Sequence, residues 1–463
     1  MRRLLAAAAA VALLTAGLVG SSARRASAST TYTWTGNSPA DPHAWGAEKN
    51  WEPEGVPQDG DSVNVDKGTT IVGVPTITLD SLSAGGAGPT LVGGSSTITT
   101  NTLTWSRGRI AASLVVNVAA QLSSPGPGVI LDNGSTQQGA PPVTFTNNGS
   151  VVQTGPVALN AGANAGAKLV NEGTWSATVD SSITSSHCCN ESTGEFVNDG
   201  ILTLTGDTTV VQARFQARPG SSVLGAGTLR LFGGVPEFTG PWNLGGSASI
   251  RLTDGAKATI HGTTTIGSGC KLQQEPPSEI HGTGVLGGSG TYRWLGGVIL
   301  ANLTLASSLG AVIEGSGPHE LSDGLHAGVL TVEDTVTQKD GTAVLMNGRI
   351  VNKGTWHVPT AAEATIEAGG CCAAPKRFQN EGTIEIDSAG RLALNFLEYS
   401  NPVNKGVIEG GGTAQLVNGI HELKDGGTVR GSGTRLEIIS NAEVHAAGTL
   451  KLDHAAVLID HAR

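Results

Sequence analysis

The sequence predicts an all-β chain wound as a parallel β-solenoid, and three observations carry that prediction. Glycine supplies 67 of 463 residues and charged residues only 14%, the rest being rich in Thr, Ser, Asn and Val, which is a composition of many short strands and many turns. A short phrase, apolar-x-Asn-x-Gly followed by β-branched or apolar residues, returns at near-regular intervals. A much longer stretch then repeats about 183 residues further on. Amphipathic helical order is missing after the first 28 residues, and the remainder is too long for one ordinary globular core.

Residues 1–28 open with Arg2 and Arg3, run through the apolar stretch from Leu4 to Val19 and finish in Ala26-Ser27-Ala28, the small-x-small form of a secretory cleavage site. The expectation is a signal peptide and an extracellular protein: the apolar run falls short of the ~20 residues a retained spanning helix needs, and no later stretch is apolar enough to insert in a membrane after cleavage. Cleavage removes Arg2, Arg3, Arg24 and Arg25 and no acid, which moves the net charge from −10 to −14. Such a chain is not expected to seek nucleic acid or an anionic membrane.

Residues 29–79 hold three of the eight tryptophans, Trp34, Trp45 and Trp51, then Gly55-Val56-Pro57 and Gly60-Asp61. The first coil of a solenoid has an open edge, so an aromatic-rich N-terminal cap has a physical purpose here. The recurring phrase follows, with Asn147, Asn171, Asn198, Asn352, Asn380 and Asn404 at its centre and neighbour spacings of 24, 27, 28 and 24 residues. Each copy reads as a strand, a tight turn using Asn and Gly for positive φ, and another strand. One copy cannot bury its own apolar face, whereas stacked copies can, with strands ~4.8 Å apart. Asn side chains at successive turns are then expected to form a hydrogen-bonded ladder. The larger duplication pairs residues 169–175 with 350–356 and 225–238 with 410–423, and residues 102–110 with 291–299 upstream. It divides the solenoid into modules 80–265 and 266–463, continuous with each other.

The tryptophans with Asn50-Trp51, Gly55-Val56-Pro57 and Gly60-Asp61-Ser62-Val63, followed by the coils "VNEGT" and "VNKGT" and the phrase "TLTWSRG", resemble the secreted right-handed parallel β-helix proteins of bacteria, the pectin-lyase-like and autotransporter-passenger-like repeats. The resemblance covers nearly all of the chain after residue 28. It implies a right-handed parallel β-helix with an N-terminal aromatic-rich cap, a fold that serves polysaccharide lyases, glycoside hydrolases, adhesins and surface scaffolds. The paired Asp motifs of polygalacturonase-like enzymes are missing.

The five cysteines include two adjacent pairs, Cys188-Cys189 and Cys371-Cys372. Seven or eight coils between the pairs would hold them ~34–38 Å apart at the strand spacing, whereas a disulfide needs Cα atoms within ~7 Å. In an oxidising setting each cysteine is therefore expected to bond its neighbour, as a loop staple. A ligand-stacking platform, a redox-labile switch, thiol metal binding and bonds between chains are the other uses such pairs have. Cys270 is left over and reads as a small buried hydrophobe.

Trp105 and Trp294 hold equivalent places in the two modules, as do Trp175 and Trp356. Rows of aromatic faces at fixed register would stack sugars, or would pack inside the coils. His319, Glu320, Asp323 and His326 form the densest polar group, but His421, Glu422 and Asp425 repeat the phrase, which marks a coil feature more than an active site. Glu333 and Asp334 are adjacent, so on a strand they face opposite sides; Asp59 and Asp61 read as turn residues before calcium ligands. Arg109 and Arg349 would meet an acidic polysaccharide or pair with nearby acids. No residue is assigned to catalysis, to a metal or to a cofactor. The functional expectation is a non-catalytic solenoid serving as a cell-surface, matrix or adhesion element, with an extracellular polysaccharide or cell-surface component as partner. The alternative is a polysaccharide lyase or glycoside hydrolase on the same scaffold.

Overall fold

The computed structural model describes residues 29–123, 128–132, 142–160, 166–178, 181–186, 194–211, 213–322, 328–368, 376–396 and 402–460. The cysteine pairs Cys188-Cys189 and Cys371-Cys372, together with Asp323 and His326, lie outside the described residues.

Short strands separated by tight corners wind into a parallel β-solenoid of about 16 turns. Three strand columns run its length. Face 1 begins at Thr31–Trp34 and Ser62–Val65, face 2 at Thr70–Val72, and face 3 at the start of the strand Ile77–Ala84. Rungs on a face pair in parallel with the rung one turn away. On face 3, Lys168–Asn171 lies opposite Thr144–Asn147 on one side and Glu195–Asn198 on the other. Within each rung, buried and part-exposed residues alternate, because successive side chains point to opposite sides of the sheet. Apolar residues fall on the inner side, where they stack from turn to turn. Phe196, Phe215 and Phe238 occupy successive rungs of face 3, with ring centroids 5.8 and 6.1 Å apart. Pairing runs without a break past residue 265, since the strand Lys257–Ile266 lies in register with Glu279–Gly287.

The aromatic-rich start is a cap. Trp34 and Trp45 pack edge-on against Trp51 at 4.8 and 4.7 Å, and the Trp51 indole donates to the Trp45 carbonyl at 2.8 Å. Trp51–Glu52 pairs antiparallel with the first rung of face 1, covering the edge that another strand would otherwise extend. Buried Asn50 ties the intervening loop down, accepting from the Ser38 amide at 2.7 Å and donating to the Asp41 and Ala44 carbonyls. The coil starts inside the segment 29–79, because Ser62–Val65 and Thr70–Val72 are already parallel rungs.

The Asn-x-Gly corners correct one expectation. Gly149, Gly173, Gly200, Gly354, Gly382 and Gly406 do not have left-handed φ values. Glycine is needed there for close approach: a Cβ on Gly173 would lie 2.0 Å from the Gly149 carbonyl oxygen, and one on Gly200 would lie 2.1 Å from that of Gly173. The corners stack backbone on backbone, and there is no room for a side chain between them.

The long duplication turns by one face. In the first module the Asn strand Lys168–Asn171 is on face 3 and the Trp strand Thr174–Ala177 on face 1. In the second module the matching Arg349–Asn352 is on face 1 and Thr355–Val358 on face 2. Trp105 and Trp294 shift in the same way, from face 1 to face 2. Among the described residues there is no α-helix, and no helix is long and apolar enough to cross a membrane.

Candidate functional site

The repeated polar phrases are used mostly inside the coil. Asn147 donates to Asn171 and Asn171 to Asn198, each at 2.7 Å, and Asn198 ends the row on the Ser222 carbonyl at 3.1 Å. Each of the first two also donates to a carbonyl of the next turn, Thr174 or Ile201, at 3.0 Å. A second row runs from Asn352 to Asn380 at 2.8 Å and from Asn380 to Asn404 at 2.6 Å. These amides lie at or below 9% exposure, where an unpaired one would be costly.

The four tryptophans do not form a sugar-stacking row. Trp105, Trp175, Trp294 and Trp356 are 0–1% exposed, because strand alternation turns each of them toward the axis, so no ring face is open to a ligand. Sequence position missed their partners. Trp175 donates to Gln153 Oε1 at 2.9 Å, Trp356 to Gln338 Oε1 at 3.0 Å, and Tyr292 to Gln274 Oε1 at 2.6 Å. Each glutamine is fully buried and spends its amide protons on two backbone carbonyls, as Gln338 does on Thr342 and Thr365. The available signal was a Gln closing an alternating strand just before a turn, 18 or 22 residues ahead of an aromatic.

His319 and His421 are also interior, each 1% exposed. His319 Nε2 sits 3.0 Å from the Trp294 carbonyl and 3.1 Å from that of Glu314; His421 Nε2 sits 2.8 Å from the Asn418 carbonyl. Burial pushes both imidazole pKa values down, and the neighbouring carbonyls offset part of that shift. Glu320 and Glu422 alternate to the outer side, so neither pair converges on one substrate. Burial pushes the Cys270 thiol up, which favours its neutral form.

The other candidate groups serve the fold. Asp61 accepts the Thr30 and Gln58 amides at 3.0 and 2.8 Å, and Asp59 accepts that of Thr78 at 2.9 Å. Glu333 is exposed and Asp334 accepts the Ser308 amide. Arg109 pairs with Asp132 at 2.9 Å, and Arg349 donates to Gln379 at 2.7 Å. Among the described residues no group of three or more His, Cys, Asp or Glu could hold a metal ion. The strands preceding the two cysteine pairs, Ser182–Ser186 and Glu363–Ala368, lie eight turns and one face apart, or ~38 Å along the axis.

The outer surface is divided by charge. Face 3 carries the row Lys168, Glu195, Arg214 and Glu237, in which Lys168 and Arg214 each lie 3.4 Å from Glu195 and Arg214 also pairs with Glu237. Face 2 and its edge hold Glu314 between Arg293 and Lys339. Face 1 differs. From Thr31 through Thr331 its outward positions carry no Asp, Glu, Lys, Arg or His over fourteen successive rungs. Hydroxyl, amide and aliphatic residues fill them in two lanes, and the first outward charge on this face is Arg349.

The chain matches no family model, no curated protein and no solved structure.

Proposed function

We propose that this chain is an exported, non-catalytic β-solenoid that acts as an extracellular surface, matrix or adhesion element and binds carbohydrate. The observation that carries the proposal is where the repeated chemistry goes. Asn ladders, tryptophans and glutamines recur in the two halves and, with His319 and His421 of the second half, are spent on interior contacts. What remains outside is a long repeating surface, the form in which solenoids engage extended partners. Residues 1–28, with their apolar run and small-x-small ending, support export. The likeness of the cap and coil phrases to pectin-lyase-like and autotransporter-passenger-like repeats supports a role outside the cell; likeness of fold alone does not choose between enzyme and scaffold.

The test is to incubate the purified protein with a panel of polysaccharides, scoring retention and the release of reducing or unsaturated ends separately. Retention without released ends is the expected result. Release that disappears when one carboxylate is neutralised would instead establish a lyase or hydrolase.

A further inference from the structure

We infer that the uncharged stretch of face 1 is the binding surface, and that its ligand is a neutral, extended polysaccharide lying along the solenoid axis. This rests on the proposed carbohydrate-binding role and goes further by assigning the face and the class of polymer. The first support is electrostatic. The chain carries a net charge of −10 with ion pairs on faces 2 and 3, yet fourteen rungs of face 1, spanning ~62 Å at the strand spacing, present no ionisable side chain. Covering this face strips no charge of water. An acidic polysaccharide finds no cation on it.

The second support is the chemistry of the two lanes. Thr104, Thr174, Ser176 and Thr203 point outward, and their hydroxyls take no part in the fold's own hydrogen bonds. A hydroxyl both donates and accepts, which suits the hydroxyl rim of a pyranose. Between them stand aliphatic side chains, Val152 and Ile201, each 40% exposed, which suit the C–H faces of the ring. On this face Trp34, Trp105, Trp175 and Trp242 point to the interior, so each rung contributes little and affinity must accumulate along the polymer.

The third support is register. Rungs repeat every ~4.8 Å, close to the rise of one sugar in an extended β-linked pyranose chain. A polymer parallel to the axis then meets an equivalent pair of lanes at nearly each sugar, and linked weak contacts reinforce one another.

The experiment measures depletion of the full chain from solution by insoluble cellulose and chitin, and its retardation in gels containing polygalacturonate. The variants are Thr174→Lys/Thr203→Lys on face 1 and Thr337→Lys, outward on face 2, with circular dichroism to show that each is folded. The expected result is depletion by a neutral polymer, weakened at least tenfold in the face 1 variant and within twofold of the parent for Thr337→Lys. Short oligosaccharides of the same sugar should compete far less well, per sugar, than the polymer. Binding to polygalacturonate alone, or neutral binding indifferent to the face 1 charges, overturns this assignment while leaving carbohydrate binding in place. Failure to bind any polymer overturns both. Ice-crystal shaping that the face 1 charges abolish, without polysaccharide binding, assigns the face to an ice lattice and also overturns the inference.

Discussion

Asn171 shows how one side chain can hold three turns together. It accepts from Asn147, donates to Asn198 and also donates to the Ile201 carbonyl. Asn171→Ala strands the neighbouring amides in a dry interior, and with ~1–3 kcal/mol for each unsatisfied group the expected loss is ~2–4 kcal/mol, read as a lower denaturation midpoint. Asn171→Asp should be at least as damaging, because a carboxylate cannot donate to Asn198 and would be a buried charge. His319 and His421 give the stability a pH dependence. Their folded pKa values lie below the ordinary 6.5, so the unfolded chain binds protons that the folded chain refuses. Stability is full above about pH 6.5 and falls as the pH drops toward the folded values. Melting temperature between about pH 7.5 and 5 should decline, and His319→Gln should flatten the decline relative to the parent. At this scale the Asn positions were legible, since one amide recurs at coil spacing. The direction of the His and Trp side chains was not, because alternation gives two sides without saying which is inner.

The strand-corner-strand element depends on what the corner leaves out. A Cβ on Gly173 would sit 2.0 Å from the Gly149 carbonyl oxygen. Gly173→Ala must therefore push two turns apart, at an expected cost of ~2–3 kcal/mol, and Ala at the exposed Gly220, where a Cβ meets nothing within 4 Å, should cost less despite its positive φ. The comparison of the two denaturation midpoints separates close approach from backbone conformation as the reason for glycine. The glutamine-aromatic pair is the second device of this element. Trp356→Phe keeps most of the apolar volume and leaves Gln338 Oε1 without its donor, an expected loss of ~1–3 kcal/mol. Sequence showed that a turn falls at Asn-x-Gly. It assigned the glycine to positive φ, because the backbone of the neighbouring turn, which sets the true constraint, is 20 or more residues away.

For the whole molecule, the turn is the unit of tolerance. Thr228 lies opposite Ser249, so deleting residues 228–248 removes one turn and lets Ser249 pair where Thr228 did; near-parental circular dichroism and melting are expected. Deleting residues 228–237 alone leaves the following strands on the wrong faces and should abolish the cooperative transition. The solenoid, its aromatic cap and its Asn rows were determined by the sequence itself, because a repeated phrase that cannot bury its own apolar side has to stack on its copies. Tertiary structure decided the rest: how many strands make a turn, which side of each strand faces the axis, and where outward residues line up. The duplicated phrases therefore land one face apart, and the uncharged lanes of face 1 come together from residues scattered between 31 and 331. Neither result can be read from linear spacing, since turns vary from 16 to 31 residues and only the hydrogen-bonded register of the rungs fixes which side chains become neighbours.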